Sequence, residues 1–160
     1  MTEADRLIRA LKLKRHPEGG WYRETLRDAT GSKGRAHSTA ILFLLREGEF
    51  SRWHRIDAVE VWHWYAGAAL ELHIARTRGR AKRHLLGHDF KNGQHPQIVV
   101  PARHWQAARP LGDYALVGCT VAPGFVFEKF ELAPISWEAA RPRRGRSRAT
   151  KRGPDSPARD

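Results

Sequence analysis

Cysteine occurs once in the 160 residues, at Cys119, so no disulfide can form within the chain. A lone thiol fits a reducing compartment. No uninterrupted apolar run comes near the ~20 residues that a membrane-spanning helix needs. Residues 1–20, MTEADRLIRALKLKRHPEGG, are of mixed charge and lack the apolar core of a signal peptide. These absences lead to the expectation of a cytoplasmic domain that makes no membrane contact. There is also no P-loop, no GxGxxG and no Ser-His-Asp motif, which sets aside the common phosphate-cradling and acyl-transfer chemistries. Acidic residues are scarce, 17 Asp and Glu against 29 Lys and Arg, for a net charge of +12.

Half of that charge is local. Residues 139–160, AARPRRGRSRATKRGPDSPARD, hold eight Lys and Arg against Asp155 and Asp160, and no aliphatic or aromatic side chain larger than alanine. Such a segment cannot bury enough apolar surface to offset its ordering entropy, so it reads as a disordered basic tail behind a domain spanning 1–138. It has neither base-reading nor stacking side chains, so weak phosphate contact is the most it offers a nucleic acid.

What precedes the tail is enough for one domain with its own core. Thr2 can cap a short helix with Asp5 in its first turn, and Leu7, Ile8 and Leu11 fall on one face. His16-Pro17-Glu18-Gly19-Gly20 then forbids continuation and makes a turn. From there the periodicity becomes strand-like. Strands are expected over 21–26, 38–45, 50–56, 59–65, 70–75, 83–86, 97–101, 104–108, 114–121 and 127–132, separated by Gly-, Pro- and Asn-bearing turns. Many short strands at even spacing predict an all-β sandwich or barrel, here a jelly roll with a short N-terminal helix.

Within Gly48–Gly67, GEFSRWHRIDAVEVWHWYAG, a glycine is followed six residues later by His54, then by Glu60 and a second glycine. That spacing resembles the first motif of the cupin superfamily, with Ile56 standing where the pattern has its second histidine. In metal-dependent cupins the two histidines and the glutamate are ligands. The nearest match to the second cupin motif is Pro101-Ala102-Arg103-His104-Trp105-Gln106, with Gln106 at the histidine position. Further segments resemble a narrower, small single-domain cupin family of unassigned function. They are His16–Thr25 (HPEGGWYRET), Ser38–Ile41, Phe43–Leu45, Glu60–Gly67, Pro101 with Trp105–Ala108, Leu116–Phe125 (LVGCTVAPGF), Phe127 and Phe130–Leu132. The resemblance runs over residues 5–133. It implies the cupin double-stranded β-helix, a homodimer, and a polar-rimmed pocket similar to those of sugar-nucleotide epimerases and sugar-phosphate isomerases.

In the cupin register, strand alternation turns His54, Ile56 and Glu60 into the barrel, with Trp62 and Trp64 continuing that face and His63 pointing outward. A glutamate buried among tryptophans needs a cation, an arginine or a proton of its own. His54 is the candidate base, Glu60 the residue that orients it, and Tyr22 a candidate proton donor. Glu24, on the face of Tyr22, with Thr39, Trp62, Trp64 and Gln106, are the candidate ligand contacts. Arg23, Arg46, Arg52 and Arg55 flank the barrel mouth and suit a phosphate or carboxylate. Cys119, in the apolar run LVGCTV, reads as core rather than nucleophile.

His54 and Glu60 are two good metal ligands, and Gln106 is a poor third. The favoured expectation is therefore a pocket for a small polar, carbohydrate-derived ligand, acting as an epimerase or isomerase with no tightly bound cofactor. The alternatives are a non-catalytic metabolite-binding cupin, and a divalent-metal oxygenase or isomerase in which His54 and Glu60 share the metal with solvent.

Overall fold

The computed structural model describes residues 1–29 and 34–134. The basic segment 139–160, and the domain boundary expected before it, lie outside the described residues.

Helix α1 spans Glu3–Ala10. The Thr2 hydroxyl accepts from the Asp5 amide at 3.2 Å and the Asp5 carboxylate accepts from the Thr2 amide at 3.1 Å, a capping box that satisfies two otherwise orphaned donors. Leu7, Ile8 and Leu11 pack with Leu44 and Leu116, so the helix covers the outer face of a sheet. No helix among the described residues is long and apolar enough to cross a membrane.

Eleven strands follow. They are β1 (Lys14–Arg15), β2 (Trp21–Arg27), β3 (Thr39–Arg46), β4 (Ser51–Arg55), β5 (Val59–Gly67), β6 (Leu70–Ala75), β7 (Lys82–Leu86), β8 (Gln97–Val100), β9 (Trp105–Pro110), β10 (Tyr114–Ala122) and β11 (Glu131–Leu132). They form two antiparallel sheets, one ordered β1-β2-β3-β10-β5-β8 and the other β11-β4-β9-β6-β7. From β3 to β6 and from β7 to β11 successive strands alternate between the sheets in the jelly-roll manner, whereas β1–β3 and β6–β7 are neighbours within one sheet.

Alternation along β3 explains both of its faces. Leu42 and Leu44 meet the helix, whereas Ile41, Phe43 and Leu45 turn inward. The inner core joins Phe43, Leu45, Trp62, Leu70, Leu72, Leu86, Val100 and Val117. Register then sets depth: Thr39 lies opposite Val121 and Val121 opposite Glu60, while Leu45 lies opposite Ala115 at the other end. Leucine and aromatic side chains fill that other end. The Thr39–Glu60 end carries polar side chains and stays open.

Three expected elements differ. The turn at His16–Gly20 is the tip of a hairpin, with Lys14 opposite Tyr22 and Arg15 opposite Trp21. The stretch 127–132 is not one strand: a 3-10 turn occupies Phe127–Lys129, and only Glu131 and Leu132 pair with β4. Phe125, Phe127 and Phe130 pack against one another there, and the turn brings all three rings to one side, which an extended strand cannot do. Strand β9 starts one residue later than expected because His104 closes a turn onto the Pro101 carbonyl and Arg103 takes φ +64°.

Candidate functional site

The open end of the barrel is a cavity of about 280 Å³. Its walls come from β1 and β2 (Lys14, Tyr22, Arg23, Glu24), β3 (Thr39, Ile41), β4 and its end (His54, Ile56), β5 (Glu60) and β10 (Cys119, Val121). The hairpin tip adds His16 and Glu18, and the segment after β10 adds Phe125, Phe127 and Phe130.

The hairpin tip enters the barrel because its glycines allow it. Gly19 has φ +112° and Gly20 φ +76°; a Cβ on Gly19 would lie 2.3 Å from the Phe50 carbonyl oxygen, and one on Gly20 2.9 Å from that of Leu44. The close approach leaves Glu18 6% exposed. Its carbonyl accepts from the Arg52 amide at 2.9 Å, and its carboxyl accepts from the Ser51 hydroxyl at 2.8 Å.

The other Glu18 oxygen, Oε2, lies 3.2 Å from Nε2 of His54, a ring that is 3% exposed. His54 Nδ1 is 2.7 Å from the Arg52 carbonyl oxygen, which can only accept, so Nδ1 bears the hydrogen. In the neutral ring Nε2 is then a bare lone pair facing a carboxyl oxygen. One hydrogen must lie between them. Burial pushes Glu18 up to about 8 and pushes His54 down, so at neutral pH that hydrogen belongs to the carboxyl.

His16 has the opposite tautomer. Its Nδ1 accepts from the Glu18 amide at 3.2 Å, and burial, aided by the nearby His54, lowers its pKa to about 4. The neutral ring therefore carries its hydrogen on Nε2, and its edge meets Tyr22 with centroids 4.5 Å apart.

Glu60 accepts from Gln106 Nε2, and the Gln106 Oε1 accepts from the Trp62 indole at 2.8 Å, which fixes the amide's orientation. Burial raises the Glu60 pKa despite the neighbouring His54. The same cause raises the Cys119 thiol well above its ordinary range, which keeps it protonated.

Among the candidate residues, the fold gathers His54, Glu60, Tyr22, Glu24 and Thr39 around one cavity. Glu24 is held at the rim by a bidentate pair with Arg27, and the Thr39 hydroxyl accepts from the Phe125 amide at 3.0 Å. Trp62, Trp64 and Gln106 do not line it. They share the inner face but lie deeper: Trp62 is 1% exposed against Phe43, and Trp64 stacks on His88 with its indole donating to the Ala68 carbonyl. Nor does Glu60 hydrogen-bond His54; Glu18 takes that place. Arg46 is engaged by Glu49 and Asp5, and Arg55 by Glu131 and the Trp105 ring, leaving Arg23 as the arginine of the four that lines the cavity.

Glu18 and His16 escape local sequence reading, because an acid in a Pro- and Gly-flanked turn ordinarily faces water. The doubled glycine after Glu18 is the signal that the turn is closely packed.

The comparisons with known proteins agree with this architecture. Residues 5–133 match the family model described as Cupin superfamily (DUF985). The chain belongs to this cupin family. It is 39% identical to a Shewanella oneidensis protein of known crystal structure, with a TM-score of 0.79 over 83% of this chain and 85% of that one. A hypothetical protein from Leishmania major is 29% identical, with a TM-score of 0.75 over 82% and 88% of the two chains. An uncharacterised Saccharomyces cerevisiae protein is 28% identical over 148 residues, 79% of this chain and 73% of its own. Bacillus subtilis oxalate decarboxylase, 16% identical with a TM-score of 0.56 over 74% of this chain and 29% of the enzyme, shares the fold alone.

Metal-dependent cupins hold their metal on two histidines and a glutamate, and the donor set here does not fit one. Both nitrogens of His54 are already engaged, Ile56 replaces a second histidine, and the Gln106 oxygen is taken by Trp62. Among the described residues no three His, Cys, Asp or Glu side chains form a metal-holding group.

Proposed function

We propose that this cupin protein binds a small polar ligand in the open end of the barrel and moves a proton on it, as an isomerase or epimerase does. The observation that carries the reading is the Glu18–His54 pair: a buried acid and a buried imidazole in the cavity wall, 3.2 Å apart, with no arginine or lysine side chain paired to Glu18 among the described residues. A fold gains nothing in stability from burying such a pair, since apolar residues of equal volume serve as well or better.

The roles follow from the hydrogens. Once Glu18 gives up its proton, its carboxylate is a base in a poorly hydrated site, and His54 can take up or return the hydrogen through Nε2. The Nε2–H of His16 and the hydroxyl of Tyr22 are donors suited to the oxygen of a ligand carbonyl, stabilising an enolate as it forms. Glu60, anchored by Gln106, is the other buried carboxyl of the cavity and accepts from ligand hydroxyls. This is chemistry for exchanging a hydrogen on a carbon next to a carbonyl, the step common to sugar epimerisation and aldose–ketose interconversion.

The test is proton NMR in heavy water with a panel of keto sugars and sugar phosphates. Loss of a carbon-bound proton signal with wild-type protein, absent with His54→Ala and Glu18→Gln, is expected. Binding of a panel member without exchange would refute catalysis and identify a metabolite-binding module instead.

A further inference from the structure

We infer that the ligand of this pocket carries a protonated amine, seated between the Glu60 carboxylate and the aromatic rings of the cavity wall. The inference rests on the preceding reading that the cavity holds a ligand, and adds the ligand's charge.

Hydrogen-bond roles divide the cavity into a donor side and an acceptor side. On the donor side the His16 side chain is 7% exposed, and its Nε2–H has no acceptor among the described residues. The Tyr22 ring stands against it, so both donors are turned to the oxygen of a ligand. The acceptor side holds the carboxyls. Glu18 is matched, since one hydrogen lies between it and His54, and Glu24 at the rim is matched by Arg27. Glu60 is not matched. It is 7% exposed, and the Gln106 oxygen is committed to the Trp62 indole, so Gln106 can only donate to Glu60. That arrangement suits the ionised carboxylate, yet no arginine or lysine pairs with Glu60 among the described residues. A buried carboxylate held by a fixed donor lacks only its counter-charge, and an ammonium in the cavity supplies it.

The chain's own cations leave that place open. Arg23 pairs with Leu42, on the outward face of the sheet. Lys14 is exposed at the rim, its ammonium 5.3 Å from the Tyr22 ring centroid, where water weakens its field.

The remaining wall is aromatic. Phe125 and Phe127 meet edge to face at 4.9 Å between centroids, and Phe130 stands 6.0 Å from Phe125 and 5.4 Å from the His54 ring. Phe127 is 53% exposed, a large apolar ring left at the mouth. Such rings attract a cation within about 6 Å, more strongly where water is excluded, and they cover the carbon body that carries it. The volume of about 280 Å³ admits on the order of ten to fourteen non-hydrogen atoms at roughly 20–30 Å³ each. An amino sugar or an arylalkylamine is that size.

The experiment is a titration of the full chain at pH 7 with probes matched in shape and different in charge. They are glucosamine against glucose, benzylamine against benzyl alcohol, and benzoate as an anion. Binding is followed by calorimetry and melting temperature. At least one amine is expected to bind about tenfold or more tightly than its alcohol, with benzoate weaker than benzyl alcohol. The pair that binds better tells whether the carbon body is a sugar or an arene. Glu60→Gln keeps the volume and can still accept from Gln106; it should erase the amine preference and leave the neutral probes unchanged. Ile41→Trp, which fills the cavity, should abolish binding of every probe. A net charge of +12 repels cations from the surface at large, so an amine preference reports the cavity. The wild-type comparison stands even without the variants: neutral probes bound as tightly as the amines, or benzoate bound most tightly, overturn the inference while leaving a ligand pocket in place. An amine preference that survives Glu60→Gln or Ile41→Trp also overturns it, because the cation would then sit elsewhere. Failure of all five probes to bind at about 10 mM overturns both the inference and the reading beneath it.

Discussion

Replacing Glu18 by glutamine removes the proton exchange and keeps the shape. The amide can donate to His54 Nε2 and accept from the Ser51 hydroxyl, so both hydrogen bonds of the native carboxyl at 3.2 and 2.8 Å survive. Its effect is on the pH dependence of stability. Unfolded, Glu18 loses its proton above its ordinary value of 4.5; folded, it keeps the proton to about 8. Across that window the unfolded state binds fewer protons, so stability falls as pH rises. His16 works the other way: unfolded it protonates below 6.5, folded only near 4, so stability rises with pH between those values. The two slopes cancel up to pH 6.5. Above it Glu18 acts alone among the two, at about 1.4 kcal/mol per pH unit, or roughly 2 kcal/mol by pH 8. The depressed His54 and raised Glu60 add to the same two limbs. For a chain of this length a loss of 2 kcal/mol lowers the melting temperature by about 4–8 °C. Urea and thermal unfolding at intervals from pH 5 to 8.5 should show the wild type losing stability above pH 6.5 and Glu18→Gln losing distinctly less. Parallel curves for the two proteins would refute the placement of the proton on Glu18.

Two other substitutions probe the supports of the site. Gly20→Ala places a Cβ 2.9 Å from a backbone oxygen at φ +76°, and should cost about 2–4 kcal/mol in urea unfolding and loosen the hairpin tip that carries His16 and Glu18. Gln106→Met keeps volume but orphans the Trp62 indole and withdraws a donor from Glu60. A loss of about 2–4 kcal/mol is expected, with the Glu60 carboxyl rising further in a carbon-NMR titration; an unchanged titration would show that Gln106 does not hold Glu60.

The fold was legible because it is written in repetition. Alternation along β3 and β5 assigns Phe43, Leu45, Glu60 and Trp62 to one interior, and the spacing of His54 and Glu60 turns both into it. Depth was not legible. Glu60, Trp62 and Trp64 share a face, but period-two alternation says nothing about which end of the barrel is filled; that depends on what β10 and β6 place opposite. The partner of His54 was hidden for a different reason. Glu18 is far from it in sequence and lies in a turn, and it becomes a site residue only because Gly19 and Gly20 let that turn pack against Phe50 and Leu44. The strand expected over 127–132 failed where three phenylalanines gained more by closing round the cavity than by extending along an edge.

The central claim is that one hydrogen lies between Glu18 and His54, on the carboxyl at neutral pH. NMR of protein labelled at the glutamate carboxyl carbon and the imidazole nitrogens reads both ends of that contact. The account predicts a Glu18 carboxyl that titrates near pH 8 and a neutral His54 bearing its hydrogen on Nδ1. A Glu18 carboxyl that titrates in the ordinary carboxylate range, or a His54 protonated on both nitrogens at pH 7, would contradict it.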